Sequence, residues 1–127
     1  MSMNENEHLS KVGAVTEAAL DRKAEDIVAL DVRELTPFAD TFIIATGTSD
    51  RHARSIADSI TEAMAKRGEK PLGTEGHEEG RWVLIDLDDV IVHVFQDEVR
   101  RKYDLERLWS DAPALDVTGG AVWTATR

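Results

Sequence analysis

The chain has no cysteine among its 127 residues. Disulfides, thiolate metal sites and thiol nucleophiles are therefore excluded. It also lacks any run of about 18 apolar residues, the length a membrane-spanning helix requires. Its opening residues, MSMNENEHLS, hold neither the apolar segment of a secretory signal nor the arginines of an organellar transit peptide. The cytoplasm is the expected location. Positive charge is scarce as well: 15 Lys and Arg stand against 25 Asp and Glu, a formal net charge of −10. Nucleic-acid binding depends on Lys and Arg neutralising phosphates, so little direct nucleic-acid contact is expected. The charge favours a basic protein partner, whose encounter it would accelerate. A solvated acidic surface that only confers solubility is the simpler reading of the same number.

What the chain does have is length for one domain with a proper core. It is organised around Arg81–Gln96, RWVLIDLDDVIVHVFQ. A two-residue turn at Asp88-Asp89 folds this stretch into a β-hairpin. Leu87 then faces Val90, Ile85 faces Val92, and Val83 faces Val94. Side chains alternate with period two, so these six aliphatics share one side, which is core. The other side pairs Asp86 with Ile91, Leu84 with His93, and Trp82 with Phe95. Its aromatics suit the centre of a protein-binding patch. A second layer of the same chain covering it, with Asp86 and His93 hydrogen-bonded inside, fits the pattern equally well.

In chain order, residues 1–7 read as a disordered N-terminus. Leu9, Val12, Val15, Ala19 and Leu20 recur at helical spacing and predict a helix over His8–Glu25. Ile27–Val32 alternates as a half-buried strand, and Thr36-Pro37 breaks it. Thr41–Thr46 is a second strand, apolar on both faces and so central. Gly47–His52 leads into a helix that Thr48 or Ser49 caps. Its stripe is Ala53, Ile56, Ala57, Ile60, Ala63 and Met64, and Gly68 ends it. A right-handed crossover follows if the strands flanking this helix are parallel. Pro71–Gly80, with three glycines and a proline in ten residues, reads as an ordered turn or loop. Glu98–Trp109 reads as a last helix with a stripe of Val99, Lys102, Leu105 and Leu108, its basic complement being Arg100, Arg101, Lys102 and Arg107. The pattern then fails, leaving 8–109 as a single domain and 110–127 as a flexible tail.

Candidate chemistry is thin. The Gly47-Thr48-Ser49 turn offers amides to a phosphate. However, nucleotidyl-transferring enzymes add Asp-x-Asp carboxylates downstream, and here Asp58 stands alone. A Walker loop would need Gly-Lys-Ser/Thr, which is absent. Asp86, Asp88 and Asp89 are oxygen ligands in principle, but Asp88 and Asp89 occupy a turn where Asp is expected for backbone reasons. Glu75, His77, Glu78 and Glu79 sit in a glycine-rich acidic loop. Neither His52 nor His93 has a nucleophile or carboxylate at a motif spacing. No enzyme is expected, and no cofactor or metal.

Four segments in order resemble the ribosomal silencing factors, also called the Iojap-related family. They are ADTFIIATGTSDRHARSIAD from Ala39 to Asp58, PLGTEG from Pro71 to Gly76, WVLIDLDDVIVHVFQ from Trp82 to Gln96, and RRKYDLERLW ending at Trp109. The resemblance implies an α/β fold: a mixed β-sheet of about four to five strands with flanking helices. This core is nucleotidyltransferase-like but lacks the catalytic carboxylates. It implies binding to the large ribosomal subunit through its protein L-fourteen, blocking the small subunit and repressing translation under nutrient limitation. A homodimer burying the same face is a further implication. Mapped onto this chain, the partner face comprises Trp82 as apolar anchor, Leu84, Asp86 as charge partner, His93 as polar contact, Phe95 and Tyr103. The alternative is a nucleotide-binding enzyme or sensor using Gly47–His52. Two departures accompany the resemblance. Asp88 stands where the family often has Gly, and the stretch after Trp109 has no counterpart in its shorter members.

Overall fold

A computed structural model describes residues 4–116 and the two-residue strand Trp123–Thr124. The order is α1 (Glu5–Asp21), β1 (Glu25–Asp31), β2 (Thr41–Gly47), α2 (Asp50–Lys66), β3 (Gly73–Glu75), β4 (Trp82–Asp86), β5 (Val90–Gln96), α3 (Asp97–Tyr103), α4 (Leu105–Leu108), β6 (Ala114–Asp116) and β7 (Trp123–Thr124). Among the described residues the strands form one seven-stranded sheet in the order β3-β4-β5-β2-β1-β6-β7. The α/β class and mixed sheet are as expected. The strand count exceeds four to five because β3, β6 and β7, flanking β4 on one side and β1 on the other, are too brief to alternate visibly.

The hairpin has the expected register. Trp82 pairs with Phe95, Val83 with Val94, Leu84 with His93, Ile85 with Val92 and Asp86 with Ile91. The turn closes through the Leu87 amide donating to the Val90 carbonyl at 2.8 Å. Asp88 takes φ 74°, the left-handed region that favours glycine. That is a physical reason for a glycine at this position. The parallel pairing is less local than expected. β2 lies parallel to β5, the second arm of the hairpin, while β3, which follows α2, pairs antiparallel with β4 at the edge.

Two helices cover one face of this sheet. Asn4 caps α1 by accepting the Glu7 amide, so the helix starts at Glu5 rather than His8. Residues 5–7 are thus helical, not disordered. Lys23 at φ 60° turns the chain out after Asp21, short of the expected end at Glu25. Ser49 caps α2, accepting the His52 amide, and Gly68 at φ 79° lies just past its end. Val12, Val15, Ala53, Ile56, Ile60 and Met64 pack with Val83, Ile85, Val92 and Val94 in the main core, all 0% exposed.

The opposite face carries a second, smaller cluster of Leu30, Val32, Ala39, Ile44, Phe95, Val99 and Ala112. Here the expected helix Glu98–Trp109 is broken. Asp104 adopts φ 47° between α3 and α4, so the predicted stripe does not persist. Val99 is buried and Leu105 half-buried, but Leu108 is 72% exposed. Arg100, expected on the basic exposed side, is buried instead. Its Nη1 donates to the Asp26 carbonyl and to Thr46 Oγ1, both at 2.7 Å, and its Nε to Glu106 at 2.9 Å. The expectation of a flexible tail from residue 110 is also corrected over its first part. Ala114–Asp116 adds to β1 as β6, with Ala112 and Leu115 buried. Leu115 enters the main core, which supplies the apolar burial that a free tail lacks. Residues 117–122 and 125–127 of that tail lie outside the described residues, as do residues 1–3.

Candidate functional site

The face away from α1 and α2 is built by alternation. Trp82, Leu84 and Asp86 come from β4, Ile91, His93 and Phe95 from β5, and Phe42 and Ile44 from β2, placed beside them by the parallel register. A chain of rings crosses it. Tyr103 meets Trp82 at 4.8 Å between centroids, and Trp82 meets Phe95 at 4.8 Å and His93 at 5.9 Å. His93 meets Phe42 edge-on at 5.7 Å, and Phe42 meets Trp109 edge-on at 5.0 Å. Such edge-to-face and tilted pairs are favourable beyond their buried area.

His93 fixes the middle of this chain. The Trp82 indole N–H donates to its Nδ1 at 3.1 Å. Indole is only a donor, so Nδ1 must be unprotonated. Burial agrees, pushing the imidazole down to about 4. A neutral histidine therefore orients the tryptophan.

The six expected contact residues do sit on one side of the sheet, but they are not equally accessible. Tyr103 is 50% exposed, while Phe95 is fully buried and His93 is 6% exposed. Phe95 offers a partner no surface, because Trp82 lies on it and Val99 of α3 belongs to the same cluster. His93 touches Trp82 rather than solvent. Trp82, Leu84 and Asp86 are half-buried, and the Asp86 carboxylate accepts the Asp88 amide at 2.9 Å. The exposed part is thus Tyr103, Trp82, Leu84 and Asp86, supported from below by His93 and Phe95. Phe42 and Trp109 join the surface. They escaped the reading of the hairpin because their placement depends on the β2–β5 pairing and on the break at Asp104.

The Gly47–His52 turn is occupied by its own chain. A Cβ at Gly47 would come within 2.9 Å of the Ala53 backbone, so the glycine serves close strand–helix approach. The Thr48 amide donates to His52 Nδ1 at 2.8 Å, and the His52 amide donates to Ser49 Oγ at 3.0 Å. His52 Nε2 meets the Arg22 carbonyl at 2.6 Å, which assigns the proton to Nε2 and the acceptor role to Nδ1. Asp50 accepts from the Gln96 amide group, and Asp58 from His77 at 2.7 Å. Two of the amides of this turn, those of Thr48 and His52, are thus engaged by side chains of the turn itself.

Asp89 also has more to do than turn the chain. His8 Nδ1 lies 2.8 Å from its Oδ2, and Lys11 Nζ donates to its Oδ1 at 2.6 Å and to the Leu87 carbonyl at 2.8 Å. Burial would raise the Asp89 carboxyl, but hydrogen bonds from Lys11 and His8 outweigh it and hold it below the ordinary value. His8 Nε2 meets Thr41 Oγ1 at 2.7 Å. Thr41–His8–Asp89 is thus arranged like a hydrolase triad, yet Thr41 is 1% exposed and no substrate reaches it. His8, Asp40 and Asp89 could also converge on a metal, but Lys11 already supplies the positive charge there. The cluster is a clasp between α1 and the hairpin turn.

These features define a class: a small α/β domain with a supported aromatic and acidic patch on the partly covered face of its sheet. A family model described as "Ribosomal silencing factor during starvation" matches residues 5–126, and the chain belongs to that family. The match runs through the stretch after Trp109, which is therefore part of the family's domain. The ribosomal silencing factor of Bacillus subtilis is 45% identical over 100 residues, covering 79% of this chain and 85% of that protein. A crystal structure of a Chromobacterium violaceum protein aligns with TM-score 0.79 at 40% identity, covering 85% of this chain and 88% of the other. A mouse protein named for mitochondrial assembly of the ribosomal large subunit is 28% identical over 90 residues, covering 68% of this chain and 40% of its own length. No described helix is long and apolar enough to cross a membrane.

Proposed function

We propose that this chain silences ribosomes by docking its Tyr103–Trp82–Leu84–Asp86 surface on the large ribosomal subunit, through ribosomal protein L-fourteen, and so excluding the small subunit. The mechanism is steric. A domain of 14.1 kDa on the joining face occupies volume that an intersubunit bridge must enter. It requires no bond to be made or broken. The observation that carries the reading is the held tryptophan: a half-buried indole, fixed by a neutral His93 beneath and Tyr103 beside it. Rigid aromatic anchors of this kind dominate protein interfaces because little rotamer freedom is lost on binding. Asp86 beside the anchor suits a Lys or Arg of a basic ribosomal protein.

His93 and Phe95 act in this reading as supports, not contacts. A second copy of the chain covering the same patch would compete with the ribosome, and the homodimer would then be a stored form. The test is subunit joining, followed by light scattering as isolated small and large subunits are mixed. Wild-type protein added to the large subunit first should suppress the rise, and Trp82→Ala should restore it. Undiminished joining at saturating wild-type protein would end the proposal.

A further inference from the structure

The β1–β2 loop, residues 32–40, carries the most exposed large apolar side chain among the described residues, Phe38 at 85%. Scattered exposed apolar residues are ordinary and call for no explanation. Phe38 differs because the loop beneath it is fixed. The Leu35 and Thr36 amides both donate to the Val32 carbonyl at 3.0 Å, the Phe38 amide donates to Thr36 Oγ1 at 3.2 Å, and Val32 donates to the Asp40 carbonyl at 2.9 Å. Asp40 in turn donates to the Asp89 carbonyl at 2.8 Å, tying the loop to the hairpin turn. Val32 and Ala39, on either side of the tip, are buried in the same cluster that Trp82, Phe42 and Ile91 pack against. The loop therefore closes on the patch side of the sheet, at the end away from Tyr103.

The loop and the turn bonded to it carry four carboxylates: Glu34 and Asp88 are exposed, and Asp40 and Asp86 are half-buried. The loop's own cation, Arg33, is already paired with Asp31 and Glu5. An apolar knob on a rigid stem, on a loop and turn that carry these carboxylates, is complementary to an apolar recess rimmed by Lys and Arg. We infer that the docking surface continues past Asp86 over this loop, with Phe38 as a second apolar anchor that enters such a recess on the basic ribosomal protein. This inference rests on the docking function proposed above.

The test is titration of isolated large ribosomal subunits with the full-length protein as wild type, Trp82→Ala, Phe38→Ala and Phe38→Asp. Phe38→Ala should weaken binding by about tenfold or more, as loss of a hot-spot aromatic does, and Phe38→Asp by more. Both variants should unfold at the wild-type urea midpoint, since the side chain belongs to neither core cluster. Phe38→Ala binding within about twofold of wild type, with Trp82→Ala weakened, would overturn this inference and leave the docking reading standing. Absence of wild-type binding would overturn both. If light scattering showed Phe38→Ala turning a dimer into a monomer at unchanged subunit affinity, the occupant would be a second copy and the inference wrong.

Discussion

β4 and β5 contribute to both faces of the sheet through alternate residues, and the two faces differ in kind. Val83, Ile85, Val92 and Val94 point toward α1 and α2 and are 0% exposed. Trp82, Leu84, Asp86 and Ile91 point the other way and stay half-buried. Coverage explains the difference. Two 17-residue helices roof the first face, whereas α3 and α4, 7 and 4 residues long, roof only part of the second. One face is closed by the chain itself, and the other stays partly open.

The comparison can be broken most sharply on the covered face. Ile85→Ala should cost about 3 kcal/mol of stability, because a buried methyl-rich side chain is lost and the site cannot collapse around it. Urea unfolding reads the cost, and the folded fraction should still bind large subunits at wild-type affinity. A loss of affinity in fully folded Ile85→Ala would mean the faces are not separable.

Acid should attack the open face through His93. Its folded value near 4 lies below the ordinary 6.5, so the unfolded chain binds the proton more readily. Stability is therefore full above pH 6.5, falls as pH drops from 6.5 towards 4, and levels below that. The total is about 3 kcal/mol at 1.36 kcal/mol per unit. Asp31 and Asp89 are depressed below 3.8, so their contributions are lost at lower pH still. His93→Asn offers Oδ1 as acceptor to the Trp82 indole and cannot titrate. It should retain binding and flatten the profile between pH 6.5 and 4. A His93→Asn profile as steep as wild type would assign the loss to other groups.

Trp82→Ala should weaken large-subunit binding by about 2 kcal/mol or more and cost less in stability than Ile85→Ala, since the indole is only half-buried. The smallest expected effect is at the turn that joins the two faces. Asp88→Gly should raise the urea midpoint by the equivalent of about 0.5–1 kcal/mol, because glycine takes φ 74° without strain. A lower midpoint would show that the Asp88 side chain contributes something the backbone angle does not reveal.

The hairpin was legible in the sequence because three local signals agree: a two-residue turn, strict alternation and aliphatics on one side. Helix α2 was legible for the same reason, with a cap, a stripe and a closing glycine. What escaped depends on distant residues. Asp104 breaks the last helix where Arg100 is drawn inward to Asp26 and Thr46, more than 50 residues away. That break brings Trp109 onto Phe42. Ala-Leu-Asp at 114–116 is too short to read as a strand, and gains its order from β1. His93 and Phe95 belong to the patch by alternation, but their burial under Trp82 and α3 could not be read from the hairpin alone. The structure separates accessible from buried residues within a face whose membership was already visible.

The measurement that tests the central claim most directly is co-sedimentation with separated ribosomal subunits, wild type beside Asp86→Lys. Asp86 is half-buried and belongs to neither core cluster, so its replacement should leave both intact and the comparison isolates the open face. The account predicts that wild type pellets with the large subunit only, and that the variant, equally folded, stays in the supernatant. Pelleting of Asp86→Lys at the wild-type level would contradict it and place the ribosome-binding surface elsewhere on the molecule.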